Sequence, residues 1–345
     1  MDFSIALILV QDGIVNGAIY ALLALSLVLV FTVTRVVFIP QGEFVAYGAL
    51  TYAGLQAGQV PGSVGLLCVL GAAAFLASLW AERHQLGAGR VARLAAGTLL
   101  LPAAIAGLAW LVVPHHPGVV VSALLALLIV TPVAPYLYRV AFRPIAHASV
   151  LVLLIVAVGV HLALTGLGLV FFGPEGSRAD GFTDAIFDFG TVSVAGQSLW
   201  VVGLAAALMA GLSLFFGRTL TGKALRATAV NRVGARLVGI GIERSGEIAF
   251  ILAGAVGALS GVLIVSLTTI YYDTGFLIGL KGFTAAIVGG LASYPVAALA
   301  AIGVGVLESF ASFWASAFKE VIVFTAIIPV LLWFSLRHHG VEDEE

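Results

Sequence analysis

Charged residues are scarce in this sequence, and their scarcity excludes most soluble folds. Only 10% of its 345 residues are Asp, Glu, Lys or Arg, whereas 61% are hydrophobic, and the mean hydropathy is +1.14. A soluble domain carries about 25% charged residues. So few charges could not cover this much apolar surface in water, and a lipid bilayer is therefore the expected solvent.

Other features are missing as well. The single cysteine, Cys68, cannot form an internal disulfide. A net charge of −1 gives no basic footprint for nucleic acid. The sequence contains no HExxH, GxSxG or paired-cysteine pattern, so we expect no metal site, no cofactor and no catalytic activity in this chain. Its start, MDFSIALILVQDG, lacks the basic region of a cleaved signal peptide, and we expect it to remain in the mature protein.

Long apolar runs fill the rest of the chain. A run of about 20 residues spans a bilayer, and the candidates are 4–34, 42–58, 64–80, 95–113, 118–138, 149–172, 198–216, 247–270, 276–291, 296–314 and 320–336. Some, such as 276–291, are short enough to be re-entrant or broken. The predicted fold is an all-α polytopic bundle of about ten membrane segments, including short or broken helices, in one domain over residues 1–345.

The glycines predict close helix packing. Pairs spaced four apart let helix backbones approach, and they are Gly13 with Gly17, Gly54 with Gly58, and Gly257 with Gly261.

Basic residues predict the orientation of the chain. With the N-terminus outside and alternating spans, most of the 16 Lys and Arg residues fall on the cytoplasmic side. These include Arg83, Arg337 and the cluster in the 217–246 loop, whereas the outer loop 173–197 is acidic. The expected arrangement is an outside N-terminus and a cytoplasmic C-terminus.

The 217–246 loop begins with GRTLTGKAL, which is close to a phosphate-binding loop. The Ser or Thr that would follow Gly222-Lys223 is replaced by Ala224, and a membrane helix rather than a strand precedes the motif. An ATP site is therefore not expected here. Ala224–Ile240 instead predicts an amphipathic helix with an apolar stripe of Ala229, Val233, Leu237 and Ile240, and with Arg232 and Arg236 stacked beside it. Anionic lipid and another protein remain equal alternatives as its partner.

This region resembles the LivH-type permeases, the membrane subunits of branched-chain amino acid ABC importers. The similarity is carried by GKALRATAVNRVGARLVGIGIERSGEIAFILAGAVGALSGVL, and further by NGAIYALLALSLVLVF, QGEFVAYGALTY, YRVAFRPIAHASVL, GLKGFTAAIVGGLASYPVAALAAIGVGVLES and FKEVIVFTAIIPVLLWF. Two departures are an apparent insertion at about 60–115 and a C-terminal SLRHHGVEDEE that lacks the family's usual ending. Where the family commonly has an acidic residue, this chain has Asn231.

The resemblance implies a coupling helix within Ala224–Ile240 that docks on a separate ATPase. The residues it assigns to coupling are Arg226, Ala229, Asn231, Arg232, Ala235, Arg236, Gly239 and Ile240. It further implies a location in the bacterial inner membrane, a second permease of related fold, two ATPase subunits that hold ATP and Mg, and an external substrate-binding protein. The expected substrates are leucine, isoleucine and valine, and the alternatives are urea, short amides or aromatic acids.

Ionisable and polar groups within the spans are candidates for the translocation path, because they are costly in a bilayer. Glu43, placed near the inner face, Lys281 and Glu308 either line this path or are structural, as ion pairs or as caps of broken helix ends. Asn16 and Tyr20, four residues apart, share a face of the first span, where they either line the path or bond a neighbouring helix. His161 stands alone in 149–172 and is expected to be structural. If these groups alone drive transport, the chain would instead be a stand-alone secondary transporter or channel.

Overall fold

Helices make up nearly all of the structure. A computed structural model describes residues 3–82, 87–189, 192–326, 328–330 and 332. The α-helices are α1 Phe3–Thr34, α2 Gln41–Gln56, α3 Ser63–Glu82, α4 Ala88–Ala95, α5 Leu101–Val112, α6 Val119–Val130, α7 Val133–Leu137, α8 Val150–Phe172, α9 Gly196–Arg218, α10 Leu220–Val230, α11 Arg232–Leu237, α12 Ile242–Ile264, α13 Thr274–Val288, α14 Tyr294–Trp314 and α15 Lys319–Thr325. Arg83 and Arg337 lie outside the described residues, as does the C-terminal segment 333–345.

The predicted all-α polytopic bundle is confirmed. Eight helical stretches of the described residues are long and apolar enough to cross a membrane: Phe3–Thr34, Ser63–Ala81, Ala88–His115, Val119–Ile145, Val150–Phe172, Gly196–Arg218, Ile242–Ile264 and Tyr294–Trp314. The shorter α2 (16 residues) and α13 (15 residues) pack inside the bundle and complete about ten segments. The last predicted span, 320–336, lies partly outside the described residues, and its described beginning is α15.

Several spans are built from shorter pieces. A π-helical turn, Ala96–Leu100, joins α4 to α5, and another, Tyr138–Phe142, follows α7. Pro132 separates α6 from α7, because proline cannot donate the helical hydrogen bond. Short and broken helices, as expected from the sequence, therefore occur among the described residues.

The second segment starts deep in the bundle rather than at a membrane face. Helix α1 ends at Thr34, Arg35 adopts a left-handed conformation (φ 64), and α2 begins only after Pro40. The side-chain amide of Gln41 donates to the carbonyl of Ala253, halfway along α12. The non-helical backbone of 35–40 thus lies within protein, which is the condition under which such backbone is tolerated at membrane depth.

Glycines bring the central helices into backbone contact. A Cβ on Gly17 would overlap Ile302 of α14, and a Cβ on Gly261 would overlap the carbonyl of Val45 in α2. The predicted close packing is confirmed for the pairs in α1 and α12. It is wrong for the third pair, because Gly58 lies beyond the end of α2 in a turn with φ 72.

The two ends of the bundle differ. We call the end that carries α10, α11 and the side chains of Arg139 and Arg143 the basic end. The opposite end, the hairpin end, carries an antiparallel pair of strands, β1 Ile186–Phe189 and β2 Val192–Ala195. This hairpin lies within the predicted outer loop 173–197, whose described residues 173–185 are also non-helical.

Candidate functional site

The predicted coupling helix is two helices, not one. Asn231 is extended (φ −149, ψ 101) and separates α10 from α11. Its Oδ1 accepts a hydrogen bond of 2.8 Å from the backbone N–H of Gly234, so Asn231 is the N-cap of α11. The prediction of a continuous helix over Ala224–Ile240 is therefore wrong, and the break lies at a residue type that favours helix starts.

The other end of α11 is closed by a glycine. The N–H of Ile240 donates to the carbonyl of Ala235, and the N–H of Gly239 donates to that of Arg236. With Gly239 at φ 85, this is the paired hydrogen-bond pattern of a Schellman motif. The Gly239-Ile240 dipeptide in the predicted coupling residues thus has a local structural role, as does the buried Ala235.

The apolar stripe predicted for this region divides between two environments. In α10, Leu225 is buried against Leu29 and Val33 of α1 and Ala249 of α12, and Ala229 packs on the same cluster. In α11, Val233 and Leu237 are 70% and 82% exposed. The segment is therefore anchored to the bundle through α10 and presents apolar side chains to the outside through α11.

Arg232 and Arg236 were predicted to lie together beside the apolar stripe, but they occupy different environments. The Nη2 of Arg232 donates to the carbonyl of Thr34, the last residue of α1, at 3.4 Å. Burial lowers the pKa of the Arg232 guanidinium, an effect that Tyr138 partly opposes and Arg35 reinforces. Arg236 is exposed. Arg232 is thus engaged inside the chain, and Arg236 is available to a partner.

A cavity of about 590 Å³ lies between α10 and the membrane helices. Its walls come from α1, α9, α12 and α14 and are mostly apolar, with Leu29, Met209 and Phe216 among them. Arg226 of α10 and Tyr294, the first residue of α14, add polar groups. Any displacement of α10 would change the shape of this cavity.

Three of the five predicted path residues meet in one buried cluster. The Nζ of Lys281 lies 2.6 Å from Oε1 of Glu308 and 3.1 Å from Oε1 of Glu320. The hydroxyl of Tyr20 donates to Oε2 of Glu308 at 2.6 Å. No hydrogen bond joins Asn16, half-buried one turn earlier in α1, to this cluster in the described part of the chain. These ion pairs and the tyrosine hydrogen bond thereby connect four helices, α1, α13, α14 and α15.

Glu43 lies elsewhere, and its expected place near a membrane face is wrong. Because α2 begins deep in the bundle, Glu43 is 1% exposed and its Oε1 lies 2.7 Å from Nδ1 of His161, midway along α8. The imidazole also stacks on Phe276, with ring centroids 4.6 Å apart. Among the described residues, Oε2 of Glu43 is buried without a hydrogen-bond partner.

The sequence was compared with known protein families, and one family matches nearly the whole chain. The family described as the branched-chain amino acid transport system / permease component matches residues 9–332, nearly the whole chain. This chain belongs to that family. It is a multi-pass membrane permease subunit.

Named relatives agree with this assignment. The permease is 31% identical over 245 residues to the high-affinity branched-chain amino acid transport system permease protein BraD of Pseudomonas aeruginosa, an alignment that covers 69% of this chain and 80% of BraD. It is 30% identical over 207 residues to LivH of Escherichia coli, covering 56% of this chain and 65% of LivH. A probable LivH of Methanocaldococcus jannaschii is 29% identical over 219 residues, covering 62% and 67%.

Two members of the buried polar groups were not predicted as partners. Glu320 lies at the start of α15, and only the chain reversal after α14 brings it to Lys281. His161 stands alone in its span, and its partner is 118 residues away in sequence. The one available signal was the presence of ionisable residues in apolar runs. This signal identifies candidate functional residues, but it does not predict which of them contact one another.

The cap of α11 gives a first prediction. Asn231→Asp should preserve the permease, since aspartate caps helices as well as asparagine. Asn231→Ala should reduce stability by about 1 kcal/mol. Thermal unfolding of both variants in the same detergent measures the difference. Equal losses for both variants would show that the side chain acts through something other than the Gly234 hydrogen bond.

Proposed function

We propose that this permease moves branched-chain amino acids across the bacterial inner membrane as part of an ATP-driven importer. Two ATPase subunits supply ATP and Mg, a second permease of related fold completes the membrane unit, and an external binding protein delivers the substrate at the hairpin end. The names of the relatives support the substrate class.

One observation carries the proposal. The short segment formed by α10 and α11 is buried against the bundle on one side and exposes apolar side chains on the other. Exposed apolar groups at a polar end of a membrane protein mark a protein contact. Val233 and Leu237 lie on α11 beside the exposed Arg236, and a charged rim around apolar anchors is typical of such contacts. The segment has the chemistry of a docking site for an ATPase subunit.

The buried side of the segment provides the mechanical connection. Leu225 packs on α1 and α12, and Arg232 holds the end of α1. When ATP closes the partner subunits, movement of α10 and α11 is passed to these two helices. Rocking of the two permeases then alternates access to the path, and the cavity beside α10 changes with it.

The buried charges are proposed to border the path. Tyr20, Lys281 and Glu308, with Glu320, present both signs of charge, as recognition of a zwitterionic amino acid requires. Glu43 and His161 form a second buried polar pair, and Asn16 is half-buried in α1. Ionisable groups at this depth are costly, and they favour a role in transport.

The experiment tests the docking face directly. The permease is purified from its native membrane as wild type and as Val233→Glu with Leu237→Glu. We expect the ATPase subunits to accompany the wild type and to fall at least about tenfold in the variant, because buried apolar anchors contribute about 2 kcal/mol or more each. Quantitative mass spectrometry of the co-purified proteins gives the ratio.

A matched control uses an exposed apolar residue at the other end. Ile186→Glu, in the hairpin and 68% exposed in the wild type, should leave the ATPase ratio unchanged. A wild-type permease that purifies alone and moves solute into liposomes without ATP would overturn the proposal in favour of a stand-alone transporter. Competition by urea, short amides or aromatic acids, but not by leucine, would overturn the substrate class alone.

A further inference from the structure

A carboxylate projects from the half of α1 that lies nearer the hairpin end. Leu7 in this half lines a cavity together with Val194 of β2, and Asp12 follows it on the same helix. The side chain of Asp12 is exposed, whereas its neighbour Gly13 is buried against Val306 of α14. Among the described residues, no hydrogen bond or ion pair involves the Asp12 side chain. A charged group on a membrane helix thus faces outward, away from the rest of the chain.

The contact with α14 gives the depth of Asp12 in the membrane. Gly13 meets the backbone of Val306, and α14 continues from there to Trp314, which is just over two helical turns, or about 12 Å. Trp314 is 69% exposed, and exposed tryptophans lie at the interface between lipid and water. The hydrocarbon core extends about 15 Å from each interface to its centre. Asp12 therefore lies at the level of the acyl chains and not at that of the headgroups.

Lipid alone does not satisfy this carboxylate. Ionisable residues within membrane spans are costly, and they almost always face water or a polar partner. Long Lys and Arg side chains escape part of this cost because they extend to the interface. The short side chain of Asp12 cannot cross the distance to the level of Trp314. The Asp12 surface is therefore covered by something other than lipid when the transporter is assembled.

The neighbours of Asp12 on α1 favour a protein cover. Ile8 precedes Asp12 by four residues and Asn16 follows it by four, so the three side chains share one face of the helix. Ile8 is 42% exposed, and Asn16 is half-buried. Polar side chains set among apolar ones form hydrogen bonds between helices in membranes. This face of α1 thus has the chemistry of a helix–helix contact.

A second copy of this chain does not fit the same face. Symmetric dimers bring one surface patch of each subunit onto its own copy. A contact of this kind centred on Asp12 would place two carboxylates opposite one another, and like charges repel strongly where the dielectric constant is low. A covering chain that is complementary to Asp12 carries a cation or a hydrogen-bond donor at this position and has a different sequence.

We propose that the face of α1 formed by Ile8, Asp12 and Asn16 is the contact surface for a second, non-identical permease subunit. That subunit presents a Lys, an Arg or a neutral hydrogen-bond donor to the Asp12 carboxylate. The inference rests on the proposed function, which includes a second permease, and it adds where this subunit binds and why it is not a copy of the same chain.

The test compares complexes purified from the native membrane as wild type and as Asp12→Leu. We expect the amount of second permease that accompanies the chain to fall about tenfold or more in the variant, because loss of one partner leaves the other polar group buried and unpaired. Quantitative mass spectrometry gives the ratio. The unfolding temperature of the chain alone should not fall, because Asp12 has no side-chain partner to lose among the described residues.

Two further variants make the result specific. Asp184→Leu removes the same charge from an exposed position in the outer loop, and it should retain the second permease. Asp12→Glu keeps the charge on α1 and should retain most of it. A photo-reactive phenylalanine analogue in place of Ile8 should cross-link to the second permease, and mass spectrometry of the product identifies the linked chain.

The outcomes separate this inference from the proposed function. Equal amounts of second permease with wild type and Asp12→Leu would overturn the surface and leave the importer intact, as would an equal loss in Asp184→Leu. A cross-link from position 8 to a second copy of this chain, or to lipid alone, would also overturn it. Purification of the wild type without any second permease would instead contradict the proposed function, and the inference would fail with it.

Discussion

Lys281→Met should severely destabilise the permease. The substitution leaves the carboxylates of Glu308 and Glu320 facing one another without the cation that now lies 2.6 and 3.1 Å away. Removing one partner of a buried ion pair costs about 3–5 kcal/mol, because an uncompensated charge stays buried. The free energy of unfolding in mixed micelles, or the yield of monodisperse protein, measures this loss.

The control for this effect removes the opposing charge. In Lys281→Met with Glu308→Gln, the amide oxygen can still accept from Tyr20, and Glu320, whose side chain is 30% exposed, can be hydrated. Most of the lost stability should return. Transport by the stable double variant then separates two roles. Restored transport would show that the cluster is structural, whereas continued loss would place it on the path.

The membrane segments were predictable because one local property decides them. An apolar run of about 20 residues satisfies its own backbone in a helix, whatever its neighbours are. The depth of α2 was not predictable in the same way. It depends on Gln41 reaching Ala253 and on Gly42 meeting Gly275, which are contacts between residues more than 200 positions apart in the chain.

The sequence predicted helical structure in the Ala224–Ile240 segment, but it did not predict the break at Asn231. Helical spacing of the apolar residues continues through Asn231, and this periodicity concealed the cap that Asn231 provides. The preference of asparagine for the N-cap position could have predicted the break, but the helical spacing of the apolar residues was given more weight. Similarly, the spacing of Arg232 and Arg236 gave no sign that Arg232 would turn inward. Its hydrogen-bond acceptor, the carbonyl of Thr34, belongs to a different helix, α1.

Gly305→Ala should disrupt the contact between α1 and α14, whose backbones approach one another at Gly13, Gly17 and Gly305. The added Cβ would overlap the carbonyl oxygen of Gly13 and the backbone nitrogen of Gly17. Backbone atoms cannot turn aside as a flexible side chain does, so the two helices must separate. Overpacking of this kind typically costs about 1–3 kcal/mol, and the value here is expected at the upper end because both neighbours are backbone.

The same helix supplies the control. Gly303 lies two residues earlier in α14, and a Cβ there would meet open space, so Gly303→Ala should keep or slightly raise stability through the higher helix propensity of alanine. Thermal unfolding of the two variants under identical conditions gives the comparison. Because the propensity gain is the same for both, the difference between them isolates the cost of the α1 contact. Equal melting of the two variants would mean that α1 and α14 can separate without loss, and close approach of their backbones would then not hold the permease together.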